Sequence, residues 1–547
     1  MIDGVVSFPP EYAALYRERG YWRDLPLRTV FKNWCDRFAN RVALRDPVRS
    51  LTYAELDRQS TNLALNLLDL GIKPRDRLVI QLPNVVEFVI LHFALQKVGA
   101  IPVLALPPHR MREMAFFVET AAAVATVTPD AHRDFTYTTM VERIRSASTC
   151  LRFGIVLGDA PPGFVSLTDL IERPAARAAT DLEAIIIEPE DPALFLLSGG
   201  TTGTPKLIPR THNDYAYNSV LAASVCAIDE DSILLDVLPL GHNLPLACPG
   251  LQGFLSKGAS VVLHTSTRAE DVFPLIARFG ITHIHVVPAL LIGWTESPIA
   301  VNHDLGSVRV IQSGGQRMQP EVRRRAERVF ANCRTQENFG MAEGLLMFVR
   351  LDDPLEVRME TVGRTICPDD EVLILGEDDL PVLPGEVGEL CCRGPYTLRG
   401  YYRAPEHNAR AFTPDGFYRS GDLMRQHPSG NYMIEGRKKD LINRGAEKIS
   451  AEEIEELILR HPAVANVACV PMPDPVMGEK NCACVVLRDG HDLELAELTV
   501  FLSTFELAKF KLPERIERFA DFPLSNFGKV SKKDLVIIVA DRMSVAA

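Results

Sequence analysis

Nine residues, Ser198-Gly199-Gly200-Thr201-Thr202-Gly203-Thr204-Pro205-Lys206, constrain this chain more than any other stretch. They follow Ala193-Leu194-Phe195-Leu196-Leu197, an unbroken apolar run that reads as a buried strand. The glycines let the backbone bend and come close to a ligand. Successive N–H groups of such a turn form a concavity for an anion, and the hydroxyls and the Lys206 ammonium add donors. The chemistry implied is phosphate gripping. The loop is not Gly-x4-Gly-Lys-Ser/Thr, because Thr204 and Pro205 separate Gly203 from Lys206 and Leu207 follows. A flexible Gly/Thr linker is the bland alternative. A strand directly before and a lysine directly after argue against it.

Around this loop the chain alternates strand and helix signals. Residues 77–82 read as a strand stopped by Pro83, 85–99 as an apolar-striped helix, and 101–106 as a strand stopped by Pro107. A helix over 111–121 and a strand over 123–128 follow. The rhythm returns as strand 260–263, helix 269–279 and strand 283–287. Such βαβ order predicts α/β architecture, with parallel sheets covered by helices. From Asp370 the pattern changes to short β segments with turn residues, a β-rich subdomain. After Gly436-Arg437-Lys438-Lys439-Asp440 comes a compact α+β tail, opened by the capping-box pattern Ser450-Ala451-Glu452-Glu453. The expected division is a large N-terminal domain over 1–436 and a small mobile domain over 437–547.

Composition removes several function classes. The net charge of −12 over 547 residues argues against nucleic acid as the main partner. The most apolar stretch, 85–95, is broken by Glu87 and His92 and is too short to span a membrane, and no signal peptide is evident. Eleven dispersed cysteines without a CxxC pair suit a reducing cytoplasm and make a zinc reading weak. Cys482 and Cys484 fit one face of a strand running into Val485.

Further motifs follow in order: Leu51-Thr52-Tyr53-Ala54-Glu55-Leu56, Asn338-Phe339-Gly340-Met341-Ala342-Glu343-Gly344, Tyr418-Arg419-Ser420-Gly421-Asp422, Gly436-Arg437, Asn443-Arg444-Gly445-Ala446-Glu447-Lys448 and Gly528-Lys529-Val530-Ser531-Lys532-Lys533. Together with the phosphate loop they resemble the adenylate-forming superfamily of acyl-CoA synthetases, luciferases and adenylation domains, over nearly the whole chain. The resemblance implies ATP and Mg²⁺. It assigns Ser198, Gly199, Gly200, Thr201, Thr202, Gly203 and Lys206 to the phosphates, and Gly314, Gly315 and Phe339 to the nucleotide. Asp422 is assigned to the ribose hydroxyls and Arg437 to the ribose or phosphate side. Glu343 is a hard carboxylate suited to Mg²⁺, expected just after a small-residue turn over 340–342. Lys529 is the sharpest catalytic candidate, a cation for the α-phosphate and the attacking carboxylate. Lys532 and Lys533 are read as solvated charges. Lys439 matches a hinge about which the small domain rotates, exchanging Lys529 for the 445–448 loop before thioester formation.

Within the superfamily the resemblance is to stand-alone aryl-acid AMP ligases of siderophore pathways, those for salicylate and 2,3-dihydroxybenzoate. Leu238-Pro239-Leu240-Gly241-His242-Asn243 and Arg393-Gly394-Pro395-Tyr396-Thr397-Leu398-Arg399-Gly400 carry it. His242 is expected at the carboxylate. Asn243 stands where amino-acid adenylation domains place an aspartate, and a neutral amide suits an ortho-hydroxyl. Cys248 points to salicylate, Leu346 trims space, and Gly314 is counted with the residues that bind the acid. Two departures widen the choice: Leu244 replaces an aromatic residue, and Asn338 replaces a small aliphatic one. A substituted salicylate, hydroxyanthranilate, hydroxypicolinate or hydroxynaphthoate therefore stays open. The thiol acceptor is expected in trans, an aryl carrier protein or coenzyme A. A luciferase-like monooxygenase is the distant alternative, against which the aryl-acid pocket argues.

Overall fold

The computed structural model describes residues 2–133, 135–198, 205–315, 317–438, 440–444, 447–474, 477–505, 507, 509–525 and 529–546. Loop residues 199–204, Lys439, 445–446 and Gly528 lie outside the described residues, as do the side chains of Asn443, Glu447 and Lys448.

Local chemistry sets the elements. Helix Tyr53–Leu70 begins where Thr52 accepts from the Glu55 backbone and Glu55 reaches back to Thr52, and it ends at Gly71 with φ +97°. Helix Ala269–Phe279 buries Ala269, Val272, Phe273 and Ile276, one stripe of a 3.6-residue period, and stops at Gly280 with φ +63°. Helix Val86–Val98 is buried everywhere but at Glu87, as a helix with apolar residues on all faces must be. Its Lys97 ammonium lies 2.5 Å from Asp57, so the charge is paired where it is buried.

Two large sheets share the main core. One has seven strands in the order Leu207–Thr211, Pro192–Leu197, Ile101–Leu104, Arg77–Ile80, Ala125–Pro129, Phe153–Leu157 and Val165–Ser166. All its pairs are parallel except that between Pro192–Leu197 and Leu207–Thr211. The other has nine strands with a parallel centre: Val42–Arg45, Ser260–Leu263, Ile233–Asp236, His283–Val286, Val310–Ser313 and Arg334–Met341. The hairpin strand Gly344–Phe348 returns antiparallel on Arg334–Met341. Strands Glu371–Leu375, Gly388–Arg393, Tyr418–Gln426 and Tyr432–Arg437 form a four-stranded antiparallel sheet.

The last sheet is built from Ile442–Arg444, Glu447–Ile449, Val464–Asp474, Gly478–Leu487 and Arg515–Phe519. Strand alternation sends Cys482 and Cys484 to one apolar cluster and Ala483 and Val485 to another, the single-face arrangement expected. All eleven cysteines are free. The expected capping box at Ser450 is half made: its hydroxyl accepts from the Glu453 backbone, 3.4 Å away. Among the described residues no helix is long and apolar enough to cross a membrane. Ligand sites of parallel sheets lie beyond the carboxyl ends of the strands. The strands ending at Leu197, Asp236, Ser313 and Met341 deliver the candidate residues there.

Candidate active site

Glu343 sits in the hairpin between Arg334–Met341 and Gly344–Phe348. Met341 pairs with Gly344, so the turn is Ala342-Glu343. The small residues of the sequence predict a turn at 340–342 instead. Pairing with Leu346 keeps Gly340 in the strand. Arg210 fixes this turn. Its guanidinium donates to the Ala342 carbonyl (3.1 Å) and the Tyr396 carbonyl (3.2 Å) while paired with Asp214 at 2.9 Å. Both charged groups are almost fully buried. Asp214 is held further by the backbone N–H of Thr211. The Glu343 carboxylate accepts from the Tyr401 hydroxyl at 2.8 Å, and that hydroxyl also meets Tyr418 at 2.9 Å. Burial raises the Glu343 carboxyl above its ordinary value. The Tyr401 hydrogen bond pulls it back, and nearby Asp422 raises it again. A divalent cation would offset both the burial and the repulsion.

The other candidates for the phosphate and ribose side gather around this carboxylate. Ser198 and Lys206 close the base of the loop: Ser198 N–H donates to the Lys206 carbonyl, and Lys206 N–H to the Ser198 hydroxyl, each at 2.9 Å. The Lys206 ammonium stands 6.0 Å over the Tyr401 ring. Asp422 accepts from Arg437 Nε at 2.8 Å across neighbouring strands. Phe339 alternates away from Asn338, and its side chain packs in the main core.

Gly314 and Gly315 leave the strand Val310–Ser313 toward Lys529. A Cβ on Gly315 would stand 2.9 Å from Lys529 Cε and 3.1 Å from its Nζ, and Gly315 has φ +83°. Lys529 also faces His242. Burial first, then the Lys529 charge and His109, push the His242 imidazole down to about 3, so it is neutral near pH 7. The ammonium, the neutral imidazole and the two glycines therefore converge on one space.

Three amides and several apolar side chains lie next to that space. Asn243 Nδ2 donates to the Met341 carbonyl at 3.2 Å. A carbonyl only accepts, so this bond fixes the amide and leaves Oδ1 as a buried acceptor without a partner among the described residues. Cys248 is buried and donates its S–H to Asn218 Oδ1 at 2.7 Å, and burial pushes its thiol up to about 12. Asn218 is a partner that sequence reasoning misses; it lies on helix His212–Ser224, thirty residues before Cys248, with no motif to mark it. Leu346 lies over Gly340, where a Cβ would meet its Cδ2 at 2.8 Å. Asn338 shares that face of the strand, and its amide lies against Gly314. Leu244, on the short helix Asn243–Ala247, is half-buried.

Polar contacts and an apolar cluster join the last sheet to the rest. Arg317 pairs with Glu456 at 3.1 Å, and the Ser450 hydroxyl donates to the Glu435 carbonyl at 2.7 Å. Lys532 departs from the sequence expectation. It is not a solvated charge but pairs with Glu455 at 2.7 Å, with Glu452 near, because its helix Lys532–Ala546 packs against the sheet. Lys533 is exposed as expected. Glu452 lies in this cluster, and burial pushes its carboxyl up to about 7 against the pull of Lys532 and Arg317.

Comparison with known proteins gives these residues a context. The model of the AMP-binding enzyme family matches residues 31–402, and that of the AMP-binding enzyme C-terminal domain matches 453–529. The chain is 46% identical to a salicylyl-CoA synthase / salicylate adenylyltransferase of a Streptomyces species, over 98% of each chain. It is 41% identical to the 2,3-dihydroxybenzoate-AMP ligase of Bacillus subtilis, over 99% of each. Among solved structures, apo MbtA of Mycobacterium smegmatis matches with a TM-score of 0.74 at 40% identity, over 98% of both chains.

Proposed function

This chain belongs to the AMP-binding enzyme family, and we propose that it activates an ortho-hydroxy aryl carboxylic acid of the salicylate type. In this reading a carboxylate oxygen of the acid attacks the α-phosphorus of ATP. Aryl-AMP forms and pyrophosphate leaves. A thiolate then attacks the acyl carbon, a thioester forms and AMP leaves. The carrying observation is Asn243: its amide is locked by Met341, leaving Oδ1 a buried acceptor without a partner among the described residues, which would suit the proton of an ortho-hydroxyl. An α-ammonium would meet no carboxylate at this position.

Ser198, Lys206 and the residues of the loop between them would grip the phosphates, and Asp422 with Arg437 would take the ribose side. Mg²⁺ fits the donors present: it keeps several waters and takes one or two carboxylates plus phosphate oxygens, and Glu343 supplies one buried carboxylate. When bound it would supply positive charge to the phosphates. Lys529 would neutralise charge on the α-phosphate and the attacking carboxylate, with His242 as a neutral hydrogen-bonding neighbour. Residues 437–547 would form a mobile domain that rotates about Lys439 and brings the 445–448 loop to the adenylate.

The acceptor thiol would be the phosphopantetheine of an aryl carrier protein in trans. The free cysteines suit a reducing cytoplasm.

Aryl-acid-dependent ATP–pyrophosphate exchange tests this reading. Exchange is expected with salicylate or its ring-substituted relatives and not with amino acids. Lys529→Ala is expected to lose about 10²–10³-fold in rate, the scale of one preorganised charge at a transition state. Strongest exchange with an amino acid, or a near-normal rate for the lysine variant, would refute it. Carrier protein and coenzyme A offered separately to the preformed adenylate identify the acceptor.

A further inference from the structure

Besides Asn243, and Asn218 behind Cys248, a further buried amide has an atom without a partner among the described residues. Asn338 is 6% exposed, and its Nδ2 has no hydrogen-bond partner among the described residues. Its position is set by the sheet. Asn338 stands opposite Phe348 and shares a strand face with Gly340 and with Leu346 of the paired strand. The amide rests on Gly314, where a Cβ would come within 2.3 Å of its Oδ1, so only glycine leaves room for it. The next residue, Gly315, is the one Lys529 touches. The orphan donor therefore lies on the wall beside the reacting carboxylate, separate from the acceptor Asn243 Oδ1.

A buried donor left without a partner is costly, and a site keeps one where a ligand supplies the missing acceptor. An apolar side chain of the same volume would fill the wall without that cost. From this we infer that Asn338 reads a second polar substituent of the acid. The substrate class is an ortho-hydroxy aryl acid carrying a further hydrogen-bond acceptor (a hydroxyl, a methoxy oxygen or a ring nitrogen) that faces Asn338. The inference rests on the proposed aryl-acid activation. Two amides then divide the recognition: Asn243 accepts from the ortho-hydroxyl, and Asn338 donates to the second substituent. Sites built to hydrogen-bond a substrate group reject analogues lacking it, because their own buried group is left unpaired.

The test compares kcat/KM in pyrophosphate exchange for salicylate, for its ring-hydroxy and ring-methoxy derivatives, for a ring-nitrogen analogue, and for methyl derivatives matched in position. In the wild type, one acceptor-bearing acid is expected to exceed its matched methyl analogue and salicylate by about 10- to 100-fold, the scale of one buried hydrogen bond. Asn338→Leu, of similar volume, is expected to erase or invert that preference while KM for ATP stays put. Methyl analogues or plain salicylate matching the acceptor-bearing acids in the wild type would overturn the inference, as would a leucine variant that keeps the preference. If that variant does not fold, the wild-type series decides alone. Exchange with salicylate and methylsalicylates but no preference for an acceptor sinks this inference and leaves aryl-acid activation standing. No exchange with any aryl acid sinks both.

Discussion

Gly315→Ala isolates the placement of Lys529 from its charge. The new methyl would sit 2.9 Å from Lys529 Cε, against an ordinary carbon–carbon contact of about 3.5–4.0 Å. The far end of the lysine must therefore withdraw by roughly 0.6–1 Å, which a flexible side chain can do at little cost in stability. The backbone cost is separate. At φ +83° an alanine is strained by about 1–2 kcal/mol, and the melting temperature should fall by about 2 °C. The functional cost should be larger, since a 1 Å misplacement of a catalytic group can cost about 10²-fold. We expect the adenylation rate constant to fall about 10- to 100-fold, equal to about 1.4–2.7 kcal/mol of barrier, with KM for ATP little changed.

The assay is pyrophosphate exchange at saturating acid and ATP, run beside thioester formation from chemically prepared aryl adenylate. The second step does not use Lys529 in the proposed scheme and should stay near the wild-type rate. Gly280→Ala supplies the control. It has φ +63°, ends helix Ala269–Phe279 and has nothing within 4 Å of the added methyl, so it carries comparable backbone strain far from the site. Equal rate losses in the two variants would assign the effect to stability alone. A fully active Gly315→Ala enzyme would refute the placement of Lys529 as the charge that sets the first step.

Two further predictions test the framework around the site. Arg210→Met should destabilise the protein by about 3–5 kcal/mol, because Asp214 is left buried and unpaired. Adding Asp214→Leu should recover most of that stability but not the affinity for ATP, since the Ala342 and Tyr396 carbonyls that set the Glu343 turn have still lost their donor; denaturant melts and KM for ATP separate the two effects. Glu452→Gln should stabilise the protein at pH 8 by roughly 3 kcal/mol and by only about 1 kcal/mol near pH 5, since each tenfold change in proton affinity is worth about 1.36 kcal/mol. The sign follows from the raised carboxyl: between about 4.3 and 7 the unfolded chain gives up this proton first, so stability falls as pH rises through that window and the penalty is complete above it. A glutamine variant less stable than the wild type at pH 8 would show that Glu452 is held by its cations instead of penalised by burial.

Much of this is legible in the sequence because it is local. Helices Met111–Ala121 and Ala269–Phe279 match the expected ranges, as does strand Ser260–Leu263, since period, caps and breakers all lie within each segment. The pairing of Ser198 with Lys206 likewise joins residues eight apart. What stays hidden depends on chain crossings. Tyr401 holds Glu343 from 58 residues away, and Arg210 reaches carbonyls 132 and 186 residues on. Lys532 shows the limit most clearly. Beside Lys533, close to the end of the sequence, it reads as a solvated charge, and only the docking of its helix on the last sheet reveals its half-buried pair with Glu455.

The same cluster bears on how one site could serve two reactions. Near the acid pocket His242 is neutral, so its imidazole can exchange hydrogen bonds but adds no charge. The positive charge beside Gly315 belongs to Lys529, on the far side of the last sheet in sequence. In the proposed scheme, the Lys529 charge reaches the acid only when that part of the chain is docked. An apolar cluster with residues from both sides, Leu291 and Val467 among them, favours docking. The burial of Glu452 between Arg317, Asp422 and Lys532 opposes it. Undocking would lose apolar contact and the Arg317–Glu456 pair but return the Glu452 carboxylate to water. Opposing terms of this kind bring two arrangements close in free energy, which is the condition for a domain to hold its lysine at the first reaction and release it for the second.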